Sequence, residues 1–152
     1  MVTNNSINSP VLNNIVNGRI TLSTGVPVTT SDVTAATTIY FTPYQGNNIS
    51  LYDGSAIWNV ISFTELSIAV PATTATMYDV FCYNNSGAAT LEVLAWTNDT
   101  TRATALVLQN GVYVKSGATT RRYLGSFRTT GVSGQTEDSV ANRFVWNYYN
   151  RV

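Results

Sequence analysis

The chain holds 152 residues, with eight basic and eight acidic side chains, no His and a single Cys. Charged residues make up 11% of it, less than half of the roughly 25% found in ordinary soluble domains, and Thr, Ser and Asn supply the polarity instead. The missing His removes a His general base, a Ser-His triad, a Cys-His dyad and a His-ligated metal; Cys82 alone makes neither an intrachain disulfide nor a cysteine zinc site.

Residues 1–17 read as an extended N-terminal arm. They hold six Asn and scattered aliphatics at Val11, Leu12, Ile15 and Val16, too little apolar surface to fold alone. Such a segment is either a frayed tail or an arm that orders against a partner. Its opening, MVTNNSINSP, has neither the basic start nor the apolar stretch of a signal peptide.

Residues 18–152 read as one β domain, a size that buries a substantial core without staples. Runs rich in Thr, Val, Ile and Tyr predict strands at 19–23, 37–43, 49–53, 56–63, 65–70 and 77–83, then at 90–97, 103–109, 112–115, 120–128 and 143–151. Asp53-Gly54 and Asn110-Gly111 are candidate two-residue hairpin turns, and Asn84-Asn85-Ser86-Gly87 is a longer connection of the same kind. In the last strand Phe144, Trp146 and Tyr148 recur at every second residue, which places three rings on one face. A short helical turn at 137–142 leads into it. The fold class is therefore all-β: an antiparallel sandwich or barrel, jelly-roll-like, with no apolar run of the roughly 18 residues a membrane span requires.

Charge is polarised along the chain. Residues 1–100 carry one basic side chain, Arg19, against six acidic ones; residues 101–152 carry seven basic against two acidic, six of the seven being Arg. Either acidic and basic strands are neighbours and cancel locally, or a basic surface faces an acidic partner. The balanced net charge argues against non-specific nucleic-acid binding.

Catalytic constellations are sparse. The eight carboxylates show no recognisable glycosidase pairing. Cys82, inside FCY on an expected strand, reads as an inert buried thiol, and Asp53-Gly54 and Asn98-Asp99 read as turns rather than calcium loops. No catalytic residue, cofactor site or metal site is expected. Trp58, Trp96, Trp146 and Tyr148 suit either core and subunit packing or a sugar-stacking platform.

The segments ISLYDGSAIWNVISFTE (49–65), YDVFCYNNSGAATLEVLAWTNDTTRATALVLQNGVYVKSGATTRRYLGSFRTTG (78–131) and TEDSVANRFVWNYYNRV (136–152) resemble a β-rich domain of tailed-bacteriophage and prophage structural proteins, of the tail-fibre-like or head-decoration kind. The likeness is one of whole segments and brings no defined site residues with it. It implies a non-enzymatic structural protein of the virion, without cofactor or membrane insertion. The expected form is a capsid decoration, cement or head-fibre-type protein assembling as a homotrimer on partners such as the major capsid protein or tail proteins. The alternative is a tail-fibre or tailspike component that binds host-surface glycan. In that family further β sequence often follows the domain, whereas this chain stops at Val152, which favours compact decoration over a reaching fibre. The expected subunit or virion contacts are Val11, Leu12, Ile15 and Val16 in the arm, and Arg121, Arg122, Arg128, Arg143, Trp146 and Tyr148 in the C-terminal strands.

Overall fold

The computed structural model describes residues 12–152. Among them lie thirteen strands: β1 (Gly18–Thr21), β2 (Val33–Ala36), β3 (Thr38–Pro43), β4 (Asn48–Tyr52), β5 (Trp58–Ser62), β6 (Leu66–Ala69), β7 (Met77–Asn85), β8 (Ala88–Ala95), β9 (Leu106–Gln109), β10 (Val112–Lys115), β11 (Ala118–Arg128), β12 (Thr136–Asp138) and β13 (Val145–Asn147). Every pairing between them is antiparallel. A six-stranded sheet runs β8-β7-β11-β10-β9, with β13 also beside β11. A three-stranded sheet runs β1-β3-β6, and two strand pairs, β4-β5 and β12-β2, complete the set. Among the described residues no sheet closes on itself, so the all-β expectation holds in its sandwich-like form and not as a barrel. No helix among the described residues is long and apolar enough to cross a membrane.

The core lies between the sheets. Ile20, Ile39 and Phe41 of the smaller sheet, with Ile49 and Leu51 of β4, pack on Tyr78, Val80 and Cys82 of β7 and on Leu124 and Phe127 of β11. Phe41 stacks on Phe63, and Tyr78 on Phe127. A second cluster joins Tyr52 and Trp58, at the turn end of β4-β5, to Val112 and Val114 of β10.

A strand overlaps each of the eleven expected ranges, though of 143–151 only Val145–Asn147 is strand, and β2 and β12 were not expected. The helical turn expected at 137–142 is replaced by β12 and a tight side-chain-closed turn. The Glu137 carboxylate accepts from the Ser139 hydroxyl and the Asn142 amide, and Ser139 Oγ accepts from Asn142 N–H. Those bonds compete with helical ones and return the chain to pair Asp138 with Arg143.

Asn110 and Gly111 both take positive φ, 51° and 81°, and make the expected two-residue hairpin. Asp53-Gly54 does not. The β4-β5 connection is longer, because the Asp53 carboxylate accepts from the N–H groups of Ser55, Ala56 and Ile57, and Asp53 N–H donates to Ile57 O. In β11 the register slips between Tyr123 and Gly125, leaving Leu124 as a bulge. This sends Tyr123 to the outer face and Leu124 into the core, and Gly125 lets β13 approach closely.

Candidate interaction surface

The outer face of the six-stranded sheet is built from alternate residues of its strands. β7 contributes Asp79 and Phe81, β11 contributes Tyr123 and Ser126, β10 Tyr113, and the β13 segment Trp146 and Tyr148. The loop after β8 folds over this face and inserts Arg102. Arg102 Nε donates to Asp79 Oδ2 at 2.9 Å and its Nη2 to the Tyr123 hydroxyl at 3.3 Å. Ser126 Oγ donates to Asp79 Oδ1 at 2.8 Å, so the Tyr123 hydroxyl, 2.8 Å from Ser126 Oγ, is the donor in that contact. The ring is closed and polar, with the Asp79 side chain 2% exposed. Arg102 also lies 4.5 Å from the Trp96 ring. A polar network with this degree of satisfaction fixes the loop rigidly on the sheet.

Beside it opens a groove of about 600 Å³ whose lining includes Thr100, Thr101, Arg102, Tyr113, Tyr123 and Tyr148. Tyr148 makes its rim, with ring centroids 5.7 Å from Tyr113, 5.6 Å from Tyr123 and 4.9 Å from Tyr149. A second cavity, of about 660 Å³, lies where β1 meets β13 and takes in Arg19, Arg143, Trp146 and Arg151. Trp146 and Tyr148 stay 44% and 37% exposed, large apolar surface left to solvent on one face.

The residues expected to make contacts divide sharply. Arg121, Arg128, Trp146 and Tyr148 share this outer face. Arg121 is bound to Glu92 at 3.0 Å and lies 3.9 Å from the Tyr83 ring; Arg128 is bound to Asp99 at 3.2 Å and packs on Phe144. Arg143 sits in the second cavity, 3.5 Å from Asp138. Arg122 is not a surface residue. It is 1% exposed, and its Nη1 donates to Asn13 O and Ser50 O, its Nη2 to the Tyr149 hydroxyl. Burial pushes its pKa down, and Tyr149 and Cys82 partly oppose that shift. Burial likewise pushes the Tyr149 phenol up, with Arg122 opposing.

The arm divides as well. Val11 lies outside the described residues, as do residues 1–10. Val16 is buried in the chain's own core at 6% exposure and pairs with Ile49, so it offers nothing to a partner. Ile15 O accepts from Ser50 N–H at 2.8 Å, Asn17 N–H donates to Asn48 O at 2.8 Å, and Leu12 O accepts from Ser50 Oγ. Residues 12–17 are thus laid along β4, because the buried Arg122 and Ser50 need carbonyl partners that this segment supplies.

The two readings of the charge pattern are now distinguishable. Of five ion pairs among the described residues, four join an acid from residues 1–100 to a base from 101–152: Asp79–Arg102, Glu92–Lys115, Glu92–Arg121 and Asp99–Arg128. Arg19 and Arg151 donate to backbone carbonyls. The charges cancel within the chain, across the six-stranded sheet and the loop after β8.

The four aromatics do not form a single platform. Trp58 is fully buried beneath the β9-β10 turn and donates to Asn110 Oδ1 at 3.0 Å, while Trp96 is capped by Arg102. Sequence reasoning missed Asp79, Arg102, Tyr113, Tyr123 and Ser126. One signal was legible: an acid in the middle of MYDVFCY demands a buried partner. Burial raises the Cys82 thiol to about 12, and among the described residues no group of three or more His, Cys, Asp or Glu is placed to hold a metal. The arrangement is chemically suited to adhesion, through exposed rings over a rigid polar base. No family model matches this chain, and no curated protein or solved structure matches it.

Proposed function

We propose that this chain is a non-enzymatic structural subunit of a tailed-bacteriophage particle, a decoration, cement or head-fibre-type protein that assembles as an oligomer on the virion. The observation that carries the reading is the anchorage of residues 12–17. Asn13 O is held by Arg122, and Asn13 Nδ2 donates to Asn110 O at 2.7 Å, so the preceding eleven residues set out from a fixed point beside the β9-β10 turn. A tether of uncharged residues on a rigid base suits attachment to a shell. The exposed Trp146 and Tyr148 supply contact area of the composition that protein interfaces favour.

Deleting residues 1–11 tests this. Particle occupancy is expected to fall to background while the melting temperature stays put; unchanged occupancy refutes the tether. Deleting 1–17 instead is expected to destabilise the domain by about 3–5 kcal/mol, since it removes Val16 from the core and a carbonyl from buried Arg122.

A second reading, a fibre or spike component that recognises host glycan, is favoured by the groove of Tyr113, Tyr148, Thr100 and Thr101. It predicts calorimetric binding of host polysaccharide that Tyr148→Ala abolishes; no binding by the unaltered chain removes it.

A further inference from the structure

Three strands of the six-stranded sheet pair on one side only: β8, β13 and β9. Of these, β8 lies against β5 and β6, and β13 is clasped to β1 through Asn147. The third, β9, carries the sequence LVLQ, with no charge and no Pro, and exposes Val107 and Leu108, the latter at 62%. Edge strands of soluble proteins are ordinarily blunted by Lys, Pro, a bulge or a cover. β9 has none of these among the described residues.

Its backbone groups are placed by the hairpin. The Asn110-Gly111 turn closes on the pair Gln109↔Val112, and Val107↔Val114 follows two residues on. In a hairpin closed by a two-residue turn those pairs exchange the hydrogen bonds. Ser116 N–H donating to Ala105 O at 3.0 Å continues the same phase. The N–H and C=O groups of Leu106 and Leu108 therefore point away from β10, with no hydrogen-bond partner among the described residues.

We propose that β9 pairs with β9 of a second copy of this chain, antiparallel about a two-fold axis through Val107, so that two six-stranded sheets become one. The register follows from the two outward-facing residues. Leu106 lies opposite Leu108 of the other copy and Leu108 opposite its Leu106, four hydrogen bonds in all, with the two Val107 residues facing each other on the axis. An uncharged edge meets an uncharged edge, so no like charges oppose. Lys115, opposite Leu106 within the hairpin, is already neutralised by Glu92 at 2.6 Å. Four residues a side make a small contact, so the dimer is concentration-dependent and gains from crowding on a surface. The proposal rests on the reading of the chain as an assembling subunit, and it replaces the three copies expected from sequence with two at this edge.

The test uses the full chain in solution, apart from any particle. Light scattering from about 10 µM to about 1 mM is expected to show the mass rising to two chains, with Leu108→Lys raising the dissociation constant at least about tenfold. Val107→Cys is expected to give a disulfide-linked dimer under mild oxidation, because facing residues that share no hydrogen bonds lie about 4.5 Å apart at Cα. Leu108→Cys is expected not to, since those two residues stand about 8–9 Å apart, beyond disulfide reach. Cys82 is fully buried and does not compete. A single-chain mass throughout overturns the proposal. So does a larger assembly indifferent to Leu108→Lys, or a Val107→Cys chain that cross-links no faster than Leu108→Cys. Particle binding by the tether is measured separately, so losing the edge pairing leaves that reading standing, and losing the tether leaves the pairing standing.

Discussion

Gly125 is where the outer face is most sensitive to a single atom. A Cβ built there lies 2.2 Å from the Trp146 carbonyl oxygen, whereas real Cβ contacts essentially never fall below 3.0 Å. Gly125→Ala therefore demands a shift of at least 0.8 Å, the difference between those two distances. The β13 segment has no slack to give. On one side Arg128 N–H donates to Phe144 O at 2.9 Å and Tyr148 N–H to Leu124 O at 3.0 Å. On the other, Asn147 grips β1 through Ile20 N–H at 2.6 Å and Ile20 O at 2.9 Å. Lifting β13 forfeits two to four such bonds, about 2–4 kcal/mol at roughly 1 kcal/mol each. For a domain of this size that is a fall of roughly 10 °C in melting temperature. Gly87→Ala is the control, since Gly87 also has positive φ but its Cβ meets nothing within 4 Å. It is expected to lose only about 1 kcal/mol, from backbone conformation alone. Urea unfolding of the three proteins decides it. If Gly125→Ala costs no more than Gly87→Ala, the close approach of β13 is not what holds the outer face in place.

The polar ring makes a paired prediction. Arg102→Met should destabilise by about 2–3 kcal/mol by leaving Asp79 buried without its cation, and adding Asp79→Asn should recover part of that loss in a double-mutant cycle by chemical unfolding. Acid should weaken the fold through Glu92 and Glu65. For each, burial alone would raise the pKa, but Lys115 and Arg121 at Glu92, and the donors Thr24, Thr42 and Gly25 at Glu65, outweigh it and hold the carboxyl below its ordinary 4.5. A pKa lowered by folding contributes stability that is complete above 4.5 and disappears as pH falls through the folded value. Melting temperature followed from pH 6 downward should therefore drop below about 4.5, and less steeply in Glu65→Gln; equal slopes would contradict the assignment.

Strand positions were legible because β-branched and aromatic runs alternate with turn residues, and Asn110-Gly111 carries its own geometry. The pairing of β2 with β12 was not legible. VTAA has a single large apolar side chain, Val33, and becomes a strand only when Thr136–Asp138 arrives beside it, a tertiary event. Arg122 was misread for a related reason. Adjacent Arg121 and Arg122 look alike in sequence, yet strand alternation turns one to Glu92 on the outer face and the other into the core. The arm was misjudged at Val16, where one aliphatic among asparagines finds the slot beside Ile49. The outer face was only half visible, since its aromatics showed in the period-two pattern while the loop carrying Arg102 is placed by long-range contacts alone.

The clasp between Ile20 and Asn147 spans 127 positions of sequence. At ribosomal speeds of about 5–20 residues per second, the first of these emerges roughly 6–25 s before the second. For most of that interval β1 has β3 beside it but its other flank is bare, and over the last part of it Arg122 waits for Tyr149. The nascent polypeptide must therefore spend seconds as an open half-sandwich, and any slowing of translation before residue 147 would lengthen the window in which a helper protein, or a misplaced sister strand, can reach it.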